Sequence, residues 1–230
     1  MTPSRRAAAP ALIALALASA TPTSGVFATA AWADTGKTVP ATKVFPFLEA
    51  FLKVPASERS RMRVSYSLRQ GGKPPAGVKA TLIEAGGART PLPIDAAGRF
   101  ERTPTLAQLQ AKAQVTLDAP PETKFGIAMD LDPTLKPAME YETRDLVATV
   151  TETNAAIRKA AGPMAMIAPT MTGIAFAKAE SGVAVFPNGA SQPLPVAEGM
   201  PYYRPEQFKG AVKVRLGRMP ASVGFYDKKK

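Results

Sequence analysis

The sequence predicts a mainly β protein with some helix (α+β): two similar antiparallel β-sandwich-like units, each preceded by a helix, from a tandem duplication. Three observations lead there. The first is an echo: Pro91-Leu92-Pro93-Ile94 returns as Pro193-Leu194-Pro195-Val196. Gly77-Val78 returns as Gly182-Val183, Phe100 and Arg102 as Tyr202 and Arg204, and Val115-Thr116-Leu117 as Val214-Arg215-Leu216. Pro121 and Gly126 match Pro220 and Gly224, and the offsets between partners stay between 98 and 105. Ordered matches at a nearly constant offset are how a repeated unit reads. The second is strict alternation: Met62, Val64, Tyr66 and Leu68 point one way, and Arg61, Arg63, Ser65, Ser67 and Arg69 the other. That is a strand with one dry and one wet face, as in an antiparallel sheet. The third is a helical pattern ahead of each set of strands.

The elements follow in order. Residues 1–33 read as a signal peptide and 34–42 as a disordered leader. The first unit covers 43–131. It opens with a helix over Val44–Val54, capped by Thr42 and carrying Pro46 in its first turn. Phe47, Leu48, Phe51 and Leu52 make its apolar face, and Pro55 stops it. Strands are expected at 62–69, 78–85 and 113–118, a hairpin over 91–102, a helical turn or loop at 105–111, and a last strand at 124–131. Residues 132–142 read as a linker. The second unit, 143–227, opens with the clearest helix, Asp145–Ala161, with Asp145 as cap and Gly162-Pro163 as stop. Strands are expected at 172–178, 182–186, 192–196, 212–216 and 222–226. Lys228-Lys229-Lys230 is a basic tail. The hairpin Asp95-x-x-Gly98-x-Phe100 resembles a turn of small exported β-sandwich modules, the transthyretin-like and carboxypeptidase regulatory-like ones. The likeness covers that turn alone, and the second half lacks its Asp and Gly.

The start of the chain points to export. Arg5-Arg6 precede an apolar run from Ala11 to Ala18, and small residues lead to Ala31-Trp32-Ala33, an A-x-A cleavage pattern. The run is shorter than the ~20 residues that cross a bilayer, and no later segment is long enough, so no transmembrane span is expected. Localisation is therefore read as periplasmic or extracellular. Lys and Arg number 29 against 18 acids; losing Arg5 and Arg6 leaves 27 − 18 = +9. Such a charge either serves solubility alone or favours acidic partners: an envelope polymer or an anionic lipid surface, rather than nucleic acid.

The chain has neither histidine nor cysteine. Ser-His-Asp and Cys-His nucleophile systems, histidine- or thiolate-held metals and disulfides are thereby excluded. No cofactor or metal is expected. Met164, Met166 and Met171 could offer thioethers to Cu(I), Met164 and Met166 from one side of a strand, but apolar packing explains them more simply. Carboxylates alone could serve a polysaccharide hydrolase or hold calcium, and Asp130, Asp132, Glu140, Glu142 and Asp145 form the densest acidic stretch. The leading expectation is instead a non-catalytic binding or structural protein of the cell envelope. Its candidate binding residues are the cations of two strands, Arg61, Arg63 and Arg69 in one half and Lys213, Arg215 and Arg218 in the other. Tyr203 and Arg204 join them from an aromatic and basic segment; the match to Phe100 makes Tyr202 the core member there.

Overall fold

In the first half of the chain the strands and helices fall where side-chain alternation and turn chemistry allow, with two exceptions at its start. The computed structural model describes residues 36–120 and 122–227. The expected signal peptide, the first residues of the leader, Pro121 and the basic tail lie outside the described residues. From Asp34 onward the chain clusters as one compact unit. The first exception is β1 (Lys37–Pro40), in a stretch read as disordered. It pairs antiparallel with β5 (Gln114–Leu117), and the Thr38 and Thr116 hydroxyls meet at 3.0 Å. The second is the helix, which is broken into α1 (Ala41–Val44) and α2 (Leu48–Lys53) and starts after Pro40, so that Thr42 lies inside α1 and does not cap it. Pro46 is the cause, because a residue before proline avoids helical angles, and Phe45 takes φ −121° and ψ 68°.

The remaining elements of this half are β2 (Met62–Arg69), β3 (Ala80–Ile83), β4 (Arg89–Leu92), α3 (Leu106–Gln110) and β6 (Gly126–Pro133). A capping box fixes α3: Thr105 Oγ1 accepts from the Gln108 N–H, and Gln108 Oε1 accepts from the Thr105 N–H. The second half holds β7 (Glu140–Glu142), α4 (Thr143–Ala161), β8 (Gly173–Ala177), β9 (Gly182–Val185), β10 (Ser191–Pro193), β11 (Val196–Ala197), β12 (Met200–Tyr203), β13 (Lys213–Leu216) and β14 (Ser222–Tyr226). The fold is mainly β, with antiparallel sheets, and in each half one edge strand, β1 or β7, precedes the helices that were expected to open the unit. β7 lies in the stretch read as a linker. Its pairing with β13 buries Tyr141 and sets Glu140 against Arg215 and Glu142 against Lys213, opposite charges that favour the register. Glu142, not Asp145, is the N-cap residue of α4.

The two halves share one strand order. β1-β5-β3-β4 in the first corresponds to β7-β13-β9-β10 in the second. The sheet β11-β12-β8-β14 corresponds to the ribbon β2-β6, which bridges at Ser67–Arg99 and Ile94–Phe100 extend on the same side. Two matches read from sequence shift. Ala80, not Gly77, stands opposite Leu92 and Leu117, as Gly182 stands against Leu194 and Leu216. Phe100, opposite Tyr66, has its counterpart in Tyr203, opposite Ile174, rather than in Tyr202.

Two apolar cores result. Tyr66, Leu68, Leu82, Leu92, Phe100 and Val115 centre the first; Ile174, Phe176, Leu194, Tyr203, Val214 and Leu216 centre the second. α4 serves both. Leu146 and Val150 in its first half enter the second core, while Ala156, Ile157 and Ala160 pack on the first.

Candidate functional site

Burial should consume the apolar face of β2, yet part of it remains open. Met62, Val64 and Tyr66 of β2 and Met129 and Leu131 of β6 form the floor of a groove of about 420 Å³. Tyr66 pairs with Met129 and Val64 with Leu131, so the floor is one face of a two-stranded ribbon. One wall is Phe51 of α2 with Phe47 just before it; the other is Ile157, Ala160 and Ala161 at the end of α4. Gly162 then turns the chain with φ 51°, and Met164, Ile167, Ala168 and Pro169 complete the rim. Among the lining side chains only Tyr66 carries a polar atom, and its hydroxyl donates to the Pro46 carbonyl at 2.7 Å. Burial pushes that phenol well above the usual tyrosine range.

The rim is unusually apolar for a surface. Phe47 is 70% exposed, Met164 59%, Ile167 77% and the neighbouring Met166 97%. Clustered exposed hydrophobics mark interaction sites, whereas single ones need no explanation. Phe47 also adopts φ 62°. A left-handed backbone under a bulky side chain is an outlier, and such strain gathers at functional sites.

A smaller cavity of about 170 Å³ opens on the same face of β6. Ile127 and, just before the strand, Phe125 line it with Val39, Val44, Leu68 and Leu117, and Lys37 and Lys43 stand beside them.

The residues singled out from sequence stand elsewhere, and most are engaged. Arg61 lies 3.6 Å from Asp145 and 3.7 Å from Glu152 of α4. Arg63 faces Asp132 at 3.6 Å, and Arg69 donates to the Leu68 and Ala97 carbonyls. Lys213 and Arg215 both converge on Glu140, at 3.0 and 2.7 Å, and hold its carboxyl below the usual range. Arg218 meets Glu180 at 2.6 Å. Arg204 approaches Glu206 at 3.6 Å while its Nε is buried without a partner. Tyr203 is a core residue at 2% exposure; Tyr202 is the half-buried one and stacks on Tyr226 at 3.9 Å. The inward-outward order of this pair is the reverse of the expected one, because the strand register differs from the sequence match by one residue. The acids divide between β6, β7 and the start of α4, and among the described residues no group of three or more acids is placed to hold a metal ion. Met164 and Met166 lie in and just after the short 3-10 turn that follows α4, not on a strand, while Met171 is buried and its backbone is tied to Asn154.

Sequence reasoning missed the groove because its lining comes from segments about 100 residues apart in the chain. The available signal was the run Met164-Ala165-Met166-Ile167-Ala168, apolar residues following a helix stop with no regular element to bury them.

A family of proteins of unknown function, DUF2987, matches residues 51–177, more than half of the 230-residue chain. The chain belongs to that family. The DUF2987 match runs from α2 to the end of β8, so it takes in every groove-lining residue except Phe47. No curated protein and no solved structure matches the chain.

Proposed function

We propose that the protein is a non-catalytic binding protein of the cell envelope, and that the groove between α2, the β2–β6 ribbon and α4 receives an apolar ligand. The groove carries the reading: its volume falls within the range of small-molecule sites, and its lining is apolar apart from one satisfied hydroxyl. Export, read from the first 33 residues, supplies the compartment. Among the described residues no helix is long and apolar enough to cross a membrane. The basic composition favours acidic surroundings, but the arginines and lysines chosen from sequence already face carboxylates or carbonyls. Attraction to an acidic polymer therefore has less support than the groove.

Titration with a neutral environment-sensitive dye such as N-phenyl-1-naphthylamine tests this. Saturable one-to-one enhancement is expected. Ala161→Trp, which fills the groove, and Met129→Glu, which charges its floor, should each weaken it roughly tenfold, about 1.4 kcal/mol. Unchanged circular dichroism serves as the control. Dye binding that ignores both variants refutes the assignment.

A further inference from the structure

The groove and the smaller cavity lie along one line. Phe125, Ile127, Met129 and Leu131 alternate on a single face of the β6 region; the first two line the small cavity and the last two the groove. We propose that the ligand is a single-chain anionic amphiphile, a long-chain carboxylate, with its head at Lys37 and Lys43 and its tail along β6 into the groove. This rests on the groove being a binding site.

Charge makes the first argument. Lys43 has no carboxylate within ion-pair distance among the described residues, and the Lys37 ammonium meets the Thr123 carbonyl at 3.4 Å. By contrast, Arg63 of β2 and Lys213 and Arg215 of β13 face acids, and Arg69 faces carbonyls. Two ammonium groups beside an apolar floor suit an anion whose neck is hydrocarbon.

Size makes the second. From Ile127 to Leu131 is four residues, roughly 13 Å at 3.3 Å each. A lipid tail reaches across half of a ~30 Å hydrocarbon core, about 15 Å. At roughly 30 Å³ per methylene, near the volume share of a water molecule, the 420 Å³ groove holds one chain of about a dozen carbons. An extended peptide would bring backbone N–H and C=O groups into a lining with no free polar partner, which is costly.

Competition against the neutral dye decides it, with dodecanoate and 1-dodecanol as probes of equal tail. Dodecanoate should displace the dye roughly tenfold more tightly than the alcohol at low salt, and the preference should shrink as salt screens the ammonium groups. The double variant Lys37→Gln, Lys43→Gln should abolish the preference while dye and alcohol bind as before. Both lysines are at least partly exposed, so the fold should survive, and circular dichroism checks it. Equal binding of acid and alcohol, or a preference that survives the double variant, overturns the carboxylate assignment and leaves the groove standing. Failure of dye and both probes to bind overturns the groove reading and this proposal together.

Discussion

Phe47 concentrates the tension of the site in one residue. Its φ of 62° suits glycine, yet the position carries a large ring that is mostly in water. Phe47→Gly should therefore keep or raise stability, by at most about 1 kcal/mol since glycine also loosens the unfolded chain, while apolar-dye affinity falls. A drop in stability of several kcal/mol in a urea melt would show that the ring is structural instead. The tyrosines give a second test at this scale. Burial raises the pKa values of Tyr66, Tyr141 and Tyr203 above that of a free phenol. Groups with raised folded values add stability below the unfolded pKa, about 10, and that stability is lost as pH climbs through the folded values. Of the five tyrosines, these three should each be less ionised than a free phenol at pH 10 in the folded protein. Ultraviolet titration reads this, and five phenolates at that pH in the folded protein would refute it. Glu140 runs the opposite way. Hydrogen bonds from Arg215 and Lys213 lower its pKa, so its contribution is present above the ordinary glutamate range and fades as pH falls through the lowered value. Glu140→Gln should flatten the acid limb of a plot of melting temperature against pH.

At the scale of elements, two glycines separate packing from pairing. A Cβ on Gly182 would come within 2.9 Å of methyl groups of Leu194 and Leu216, which can move. Its counterpart in the first half, Ala80, already carries that carbon between Leu92 and Leu117. Gly182→Ala should cost about 1–3 kcal/mol, the usual range for overpacking. A Cβ on Gly173 would instead strike the backbone carbonyl of Tyr203, on the strand that pairs with β8. Gly173→Ala should be the more damaging of the two, because a ladder must open rather than a side chain turn. Chemical denaturation of both variants ranks them, and the reverse order would contradict this register. The turns of the two halves show the same economy. Glu84–Ala88 and Phe186–Ala190 close with the same pair of backbone hydrogen bonds, and Gly87 and Gly189 both take φ 81°. The offset there is 102, the same as between Pro91 and Pro193.

For the molecule as a whole, α4 decides cooperativity. Leu146 is fully buried in the second core and Ala156 in the first, so one helix cannot unfold without opening both. The region from Asp34 onward should melt in a single transition by calorimetry, with equal calorimetric and van't Hoff enthalpies. Leu146→Ala should lower stability by about 2–5 kcal/mol and still leave one transition. Two resolved transitions would show that the halves stand independently.

The sequence by itself determined the β class, the helical stretches near the start of each half, and most strand positions, because side-chain alternation and Gly-Pro punctuation are local properties. β14 falls on the predicted residues 222–226, and α4 stops at Gly162-Pro163 as read. Absence of histidine and cysteine excludes the nucleophile and metal systems built on those residues, a matter of composition alone. Only the tertiary structure placed β1 and β7, whose partners lie about 75 residues away, and only it showed that the acids and cations of the two candidate faces answer one another. The groove belongs to the same class. Its residues look like ordinary core from sequence, since hydrophobicity reports what tends to be buried. Whether a neighbouring element arrives to bury Met129, Ile167 and Phe47 depends on how the halves pack.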